Sequence, residues 1–388
     1  MKKLTGRLGI IRSNVLVFLL LLAPIFLDLL TPNSSITYSL KIFAILFAVF
    51  VREQRAETHE NTKFSIVLPL LLASFLIATN FLNSVGFQPN ILFNLFWFWY
   101  FKDQQWFRDV FVETLFLSLK ICGLISLVTN LASLLPQESE LDSTNYFVPL
   151  NELLGLQYRQ QGIFTHPNTY ALFSFLLISL ALLVSKRLSM FWTAVGLFGL
   201  LTSGSRTFQI LSLLILIYYV LGKKSQAAFI SRTLRLNSLQ ILHIGVIAYF
   251  VTQLSARTAT FSPDSFTGRY GIWSKSLAAL SDHLFWGLGT DYSSRLVQNG
   301  DLPIYANSAH SLYLDGFLSG GIIVGMTALA LFYITYRNMK SAGGVLHIMF
   351  LLIFVAGFTE TMFSLASFGV VNLLFAYAYS FSKRVSHV

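Results

Sequence analysis

The sequence has 388 residues, of which 55% are hydrophobic and only 11% are charged, whereas ordinary soluble domains carry about 25% charged residues. The mean hydropathy is +0.65, and a soluble chain of this length has too little interior to bury so much apolar surface. These values exclude a soluble globular enzyme, a disordered chain and a secreted disulfide scaffold. The net charge of +10 is typical of the basic cytoplasmic loops of a membrane protein, so no nucleic-acid partner is expected.

A membrane-spanning helix needs roughly 20 apolar residues, and apolar segments of suitable length recur along the whole chain. The twelve candidate spans lie at about 15–31, 36–51, 64–81, 91–101, 110–134, 167–185, 189–203, 207–221, 239–254, 308–335, 344–360 and 364–381. The fourth segment is short, and polar residues interrupt the tenth. The predicted fold class is an all-α integral membrane protein of about 12 transmembrane helices, with residues 1–388 forming a single polytopic domain.

The positions of the basic residues predict which connections face the cytoplasm, because positively charged loops resist translocation. If the first span begins in the cytoplasm, the connections on that side hold 19 of the 27 Lys and Arg. Both termini are then cytoplasmic, and two long connections, 135–166 and 255–307, are extracytoplasmic loops. The second loop lies between spans 9 and 10 and is rich in aromatic residues. We expect it to be ordered, with a short helix in TGRYGIWSKSLAALSDHLFWGLG.

Several arginines lie on the predicted outer side, against the usual charge rule, and a planar guanidinium suits bidentate binding of phosphate. The segment YRQQGIFTHPNTYALF places Arg159, His166 and Asn168 around the start of the sixth span, with Pro167 in its first turn. The segment SGSRTF places Arg206 at a helix N-terminus, where backbone N–H groups also favour anions. Capped helix starts and an arginine reaching the membrane interface explain the same patterns without a ligand.

Two further motifs fall on the same predicted side. GRYGIW carries Arg269 in the second long loop, and AHSLYLDGFLSGGIIVG carries His310 at the start of the tenth span. On a helix, Tyr313 shares a face with His310. Asp315 is an ionisable group in an apolar helix, which is costly and indicates function, and Glu360 ends the eleventh span on the same side. The glycines of the last motif are expected to permit close helix packing.

The segments TGRYGIW, WGLGT and AHSLYL, with Gly321 eleven residues after the histidine, resemble the O-antigen ligase / Wzy polymerase superfamily of membrane glycosyltransferases. GxFxHPN and GSRT are similar to the same family, so the resemblance covers about residues 155–330. Two positions depart from the family pattern, since Ser311 stands where asparagine is common and Val324 where glycine is common.

The resemblance implies a GT-C-like fold and a donor glycan carried on undecaprenyl pyrophosphate at the outer leaflet. It implies that His310 is the general base on the acceptor hydroxyl, that Arg206 and Arg269 hold the pyrophosphate, and that Arg159 is a third phosphate contact. Neither a metal nor another cofactor is expected, because the sequence has no D-x-D pair and arginines supply the charge. The other residues expected to bind substrate are His166, Asn168, Tyr313, Asp315 and Glu360.

The predicted function is that of a polysaccharide polymerase of the cytoplasmic membrane, in which donor and acceptor glycans are both carried on lipid. Within the superfamily, the alternatives are an O-antigen ligase with a lipid A–core acceptor and an enzyme that transfers glycan to protein. From another class, a lipid-glycan flippase or transporter has the same span layout. The absence of an obvious repeat, and ionisable residues at one face instead of midplane, favour the enzyme. A purely structural scaffold would not need the arginines and the histidine together.

Overall fold

The computed structural model describes residues 35–54, 67–103, 105–132, 159–164, 166–184, 189–224, 269–303, 308–342, 344–360 and 370–380. Within these ranges all regular structure is helical. In chain order the helices are α1 (Ser35–Gln54), α2 (Val67–Leu82), α3 (Pro89–Asp103), α4 (Gln105–Ala132), α5 (Pro167–Val184), α6 (Ser189–Ser203), α7 (Arg206–Lys224), α8 (Arg269–Asp282), α9 (Tyr292–Gln298), α10 (Leu312–Ala342), α11 (Gly344–Ala356) and α12 (Val370–Ser380).

Ten of the twelve predicted spans coincide with helices, and the other two, 15–31 and 239–254, lie outside the described residues. Phe111–Leu131 and Leu312–Lys340 are long and apolar enough to cross a membrane, and several shorter helices are also apolar. The all-helical fold is therefore confirmed for the described part of the chain, and its apolar helices are consistent with a membrane protein. The number of spans, their sides and the GT-C-like arrangement stay predictions.

The chain divides into two compact units. The first contains α1, α4, α5, α6 and α7, and the second contains α2, α3, α8, α9, α10, α12 and α11 from Phe350 onward. Helix α8 lies where a short helix was predicted, and α9 follows it without having been predicted. That this segment is an extracytoplasmic loop stays a prediction. That residues 1–388 form a single membrane domain stays a prediction.

In the first unit α5 is the central helix and packs against α4, α6 and α7. Every residue from 170 to 181 is buried, as expected of a helix that is hydrophobic on all sides. Gly199 of α6 lies directly against α5, where an added Cβ would come within 2.5 Å of the hydroxyl oxygens of Tyr170 and Ser174. The missing side chain at this position therefore sets how closely the two helices approach.

In the second unit α10 packs against α2, α8 and α12, and α12 packs against α3. Phe332, Phe354 and Phe375 join α10, α11 and α12, with ring centroids 5.0 to 5.8 Å apart. Asn372 of α12 donates to the side-chain oxygen of Asn94 in α3 at 2.9 Å. Because buried amides are costly unless hydrogen-bonded, this contact fixes how α3 and α12 pair within an otherwise aromatic core.

Helix α10 is interrupted at Gly320 and Gly321. From these two glycines the sequence predicted only close packing of helices. Gly321 has φ 67° and ψ −162°, a backbone region essentially reserved for glycine. The loop after α8 bonds to the groups that the break exposes. The N–H of Leu288 donates to the carbonyl of Leu318 at 2.7 Å, and the N–H of Ile322 donates to the carbonyl of Leu284 at 2.7 Å. The break therefore anchors the second long loop to α10.

The same loop also contacts the end of α2. Oδ1 of Asn80 accepts hydrogen bonds from the backbone N–H of Thr290 at 2.8 Å and from its hydroxyl at 3.0 Å. Nδ2 of Asn83 donates to the carbonyl of Gly287 at 3.4 Å, and the guanidinium of Arg295 donates to the carbonyl of Asn83. Two connections that the charge pattern predicts on one side of the membrane thus contact each other directly.

Candidate functional site

The first two motifs meet in the first unit, where α6 ends and α5 begins. The guanidinium of Arg159 donates from Nε to the carbonyl of Ser203 at 2.6 Å and from Nη2 to Oδ1 of Asn168 at 2.9 Å. The backbone N–H of Gln160 donates to the carbonyl of Thr202 at 3.0 Å. A cation beside the last carbonyl groups of a helix is favourable, so Arg159 stabilises the junction between the two motifs.

The start of α5 is capped by the residue before it. Pro167 is the first residue of α5, as predicted, and the carbonyl of His166 accepts the N–H groups of Thr169 and Tyr170 at 3.1 and 3.2 Å. Nδ1 of His166 accepts the N–H of Asn168 at 3.1 Å. The motif therefore contains the capped helix start that the sequence left open. The substrate-binding roles of His166 and Asn168 stay predictions.

Arg206 is the first residue of α7. Gly204, two residues earlier, has φ 65° and forms the predicted tight turn. The carbonyl of Ser205 accepts the N–H of Gln209 at 3.0 Å, which begins the helix. The side chain of Arg206 lies outside the described part of the structure, so its contact with pyrophosphate stays a prediction.

Arg269 is the first residue of α8 in the second unit, and its side chain is held by the turn after α11. Nη2 lies 3.0 Å from Oε1 of Glu360, and Nη1 donates to the carbonyl of Thr359. The side chain of Arg269 is 20% exposed and that of Glu360 is 8% exposed. Because a guanidinium has five N–H groups, these two bonds leave donors at the partly exposed head. In this contact Glu360 orients Arg269.

His310 lies between α9 and α10 and has φ 51°, a left-handed conformation uncommon outside glycine. The prediction that His310 opens the tenth span is wrong, because α10 begins at Leu312. The helical relationship expected between His310 and Tyr313 is therefore absent. The later helix start is explained by two hydrogen bonds made outside the helix. The N–H of His310 donates to Oγ of Ser308 at 3.1 Å, and the N–H of Leu312 donates to the carbonyl of Gly357 at 2.8 Å.

The residue before His310 is held by three side chains. The N–H of Ala309 lies 2.8 Å from the hydroxyl of Tyr292 and 3.0 Å from Oδ1 of Asp315. The carbonyl of Ala309 accepts the indole N–H of Trp273 at 2.7 Å, and the hydroxyl of Tyr292 donates to Asp315. Burial, together with the charge of Asp315, raises the pKa of Tyr292 well above its ordinary value, so this phenol stays protonated as a donor.

Tyr313 and Asp315 both lie in the first turn of α10, and both are engaged within the protein. The hydroxyl of Tyr313 donates to the carbonyl of Phe354 at 2.8 Å, and its ring packs on Phe358 with centroids 4.6 Å apart. Asp315 is buried, with 7% of its surface exposed. Contact of either side chain with substrate stays a prediction.

The sequence prediction missed Trp273 and Tyr292 as members of this cluster. Trp273 lies four residues after Arg269, a spacing that puts both on one face of α8, and this was the available signal. Tyr292 precedes Ala309 by 17 residues, and no periodicity relates residues that far apart across a turn. Only the folded chain brings Tyr292 to the cluster.

The candidate residues form two groups, each within one unit. Arg159, His166 and Asn168 are in the first unit, and Arg269, His310, Tyr313, Asp315 and Glu360 are in the second. Among the described residues, no three His, Cys, Asp or Glu side chains are grouped so as to hold a metal ion.

Across the described ranges this is an all-helical protein with apolar helices of membrane-spanning length, and polar clusters lie at the helix ends. Residues 173–329 match the family model described as O-antigen ligase, which supports the resemblance to the O-antigen ligase / Wzy superfamily. The match includes Arg206, Arg269 and His310, and it excludes Arg159 and Glu360. No curated protein matches the sequence significantly.

Proposed function

We propose that the protein is a metal-independent, inverting glycosyltransferase of the bacterial cytoplasmic membrane. It transfers a glycan from undecaprenyl pyrophosphate to a sugar hydroxyl at the outer face, and the acceptor is itself lipid-linked, as in a Wzy-type polysaccharide polymerase. The family match over residues 173–329 supports the broad class of reaction. The observation that carries the proposal is the left-handed backbone of His310, tied through Trp273 to the helix that begins with Arg269.

The reaction needs a base and a cation. The neutral imidazole of His310 accepts the proton of the acceptor hydroxyl, since the ordinary pKa of histidine is near 6.5. The acceptor oxygen forms a bond to the anomeric carbon of the donor as the bond from that carbon to the pyrophosphate oxygen breaks. Displacement in one step inverts the anomeric centre. The pyrophosphate leaves with both electrons of the broken bond, and fixed cations stabilise its charge.

Arg269 suits the stabilisation of that leaving group. Its partners Glu360 and Thr359 engage Nη2 and Nη1, and the remaining N–H groups are oriented by the same two bonds. A cation that is fixed before substrate arrives pays little reorganisation cost during the reaction. Arg206 is proposed as the second cation and Arg159 as a third, weaker phosphate contact.

The outer face is proposed as the side of the reaction. Three contacts each join a long loop to the end of a span that the charge pattern predicts on the same side, as expected if the spans alternate. The basic residues gathered in the other connections make this side the outer one. The contacts are Arg159 with Ser203, Asn80 with Thr290, and Arg269 with Glu360.

The decisive experiment replaces His310 in the purified protein and measures chain extension on a defined lipid-linked repeat unit. Asparagine tolerates the left-handed conformation, so His310→Asn tests the imidazole with little change to the backbone, and His310→Ala is the companion variant. We expect wild-type protein to form polymer and both variants to lose transfer by at least about 100-fold, the scale of a lost general base. Polymer formation by both variants at the wild-type rate would overturn the proposal.

The second candidate is an O-antigen ligase, which the description of the matching family favours. The two activities differ in the acceptor, so the same preparation is given lipid-linked repeat units or lipid A–core. Cells that lack a polymerase accumulate single repeat units on lipid. Cells that lack a ligase accumulate lipid-linked polymer beside unmodified lipid A–core. A transporter would leave lipid-linked repeats unjoined in detergent.

A further inference from the structure

We propose that Trp273, Tyr292 and Asp315 are positioning residues that hold the backbone on which His310 is carried. The inference rests on the proposed function, because it assigns these residues a task for the proposed base. It also changes the role predicted for Asp315, from contacting substrate to orienting the segment that precedes the helix.

Both backbone polar groups of Ala309 are bonded by side chains. The N–H donates toward the hydroxyl of Tyr292 at 2.8 Å and Oδ1 of Asp315 at 3.0 Å. The carbonyl accepts the indole N–H of Trp273 at 2.7 Å. Ala309 is completely buried, so these bonds are shielded from water, where competing partners would weaken them.

The three side chains come from three helices. Trp273 belongs to α8, Tyr292 to α9 and Asp315 to the first turn of α10. Because the restraints approach the peptide groups of Ala309 from different elements, rotation of the segment breaks at least one of them. A residue bonded from a single helix would lack this restraint.

His310 needs such restraint because of its conformation. Its φ of 51° is disfavoured for a side chain with a Cβ, and such conformations persist only where the surrounding structure over-determines them. The hydrogen bonds to Ala309, one residue earlier, hold the backbone of His310 in this conformation. The N–H of His310 itself donates to Oγ of Ser308, and after His310 the N–H of Leu312 donates to the carbonyl of Gly357, which fixes the segment on its other side.

The arrangement also relates the proposed base to the proposed cation. Trp273 lies one helical turn after Arg269, so the helix that presents the guanidinium also holds the peptide next to His310. The distance between the reacting groups matters strongly, because a displacement of about 1 Å can lower a rate about 100-fold. A change at Trp273 is therefore expected to affect both partners.

The test uses conservative variants of the full-length protein in the polymer-extension assay. Trp273→Phe removes the indole N–H, Tyr292→Phe removes the hydroxyl, and Asp315→Asn removes the charge but keeps an oxygen. We expect each to lower kcat about 10-fold to 100-fold while KM for the lipid-linked donor changes less than about threefold. Trp286→Phe and Tyr333→Phe are the matched controls, since these residues are 50% and 52% exposed, and both are expected to keep wild-type kcat.

Tyr292 and Asp315 bond to each other and to the same N–H of Ala309. The kcat of the double variant Tyr292→Phe/Asp315→Asn is therefore expected to be only slightly lower than that of the worse single variant. Restoring the acid as Asp315→Glu is expected to recover part of the lost kcat. A rise in KM with unchanged kcat would overturn the inference and return Asp315 to substrate binding. Wild-type kcat in all three single variants would also overturn it.

A second readout does not depend on catalysis. Diethyl pyrocarbonate modifies accessible imidazoles, and mass spectrometry of the peptides reports each histidine separately. We expect the rate at His310 to change at least threefold in Trp273→Phe, with the exposed His283 as internal reference. An unchanged rate would overturn the inference even if kcat fell. Transfer by both His310→Asn and His310→Ala at the wild-type rate would instead overturn the proposed function, so the two failures are distinguishable.

Discussion

Arg269 and Glu360 form an ion pair, with Nη2 of the arginine 3.0 Å from Oε1 of the glutamate, although the two residues are 91 positions apart in the sequence. The pair links the first turn of α8 to the turn that follows α11. The adjacent carbonyl of Thr359 accepts a second bond from the same guanidinium. One arginine thus fixes the start of α8, within the second long loop, against the end of a predicted span.

Removing either partner of this pair is expected to destabilise the protein more than removing both. The single variants Arg269→Ala and Glu360→Ala each leave a mostly buried charge without its partner. A double-mutant cycle by thermal unfolding in detergent is expected to give a coupling free energy of about 1–3 kcal/mol. Additive losses would mean that the two charges do not stabilise each other. In the transfer assay Arg269→Ala is expected to be inactive, with or without Glu360.

The break in α10 makes Gly321 intolerant of any side chain. A Cβ there would lie 2.1 Å from the carbonyl oxygen of Phe285, and the φ of 67° is itself unfavourable for alanine. Gly321→Ala is expected to lose about 2–4 kcal/mol of stability, from overpacking and backbone strain together. Gly316→Ala is the control, because its Cβ would meet nothing closer than 3.9 Å and alanine favours helix by about 1 kcal/mol. Equal melting temperatures for the two variants would contradict this account.

Arg159 is expected to be sensitive even to lysine. Lysine keeps the charge but lacks the planar fork that donates to Ser203 and Asn168 at once. Arg159→Lys is therefore expected to lower stability by about 1–3 kcal/mol, measured as a fall in melting temperature, with the exposed Gln161→Ala as control. A raised donor KM at unchanged melting temperature would instead indicate a phosphate contact without a structural role.

The predicted sides of the membrane are open to cysteine labelling, because the native Cys122 is buried and the chain has no other cysteine. Asp301→Cys lies at an exposed position of the second long loop. It is expected to react with a membrane-impermeant maleimide in intact spheroplasts. Lys186→Cys, in a connection predicted to be cytoplasmic, is expected to react only after permeabilisation. The reverse pattern would invert the topology.

Metal chelation is expected to leave transfer unchanged. In the proposed reaction the positive charge of the arginines stabilises the pyrophosphate as it leaves, so no metal ion is needed for that purpose. Activity of the purified protein is measured with and without excess EDTA. Loss of activity that Mg²⁺ or Mn²⁺ restores would show that a metal supplies part of that charge.

Local signals anticipated much of the fold. The apolar segments predicted the positions of ten described helices, since a run of apolar residues long enough for a span is itself the signal. Pro167 and Gly204 predicted a helix start and a turn through their backbone preferences alone. The same kind of signal misled at His310, because α10 begins two residues later, at Leu312, whose N–H is bonded to the carbonyl of Gly357 in a distant turn.

Composition and hydropathy predicted a helical, apolar membrane protein, and they singled out the polar residues that are costly to place in lipid. Composition and periodicity are properties of neighbouring residues, so they are readable without a fold. Which of those residues contact each other follows from the packing of the helices. Glu360 orients Arg269, Asp315 bonds the peptide before His310, and a loop occupies the break at Gly321. Each of the three depends on hydrogen bonds between separate elements, whose geometry exists only once the helices have packed.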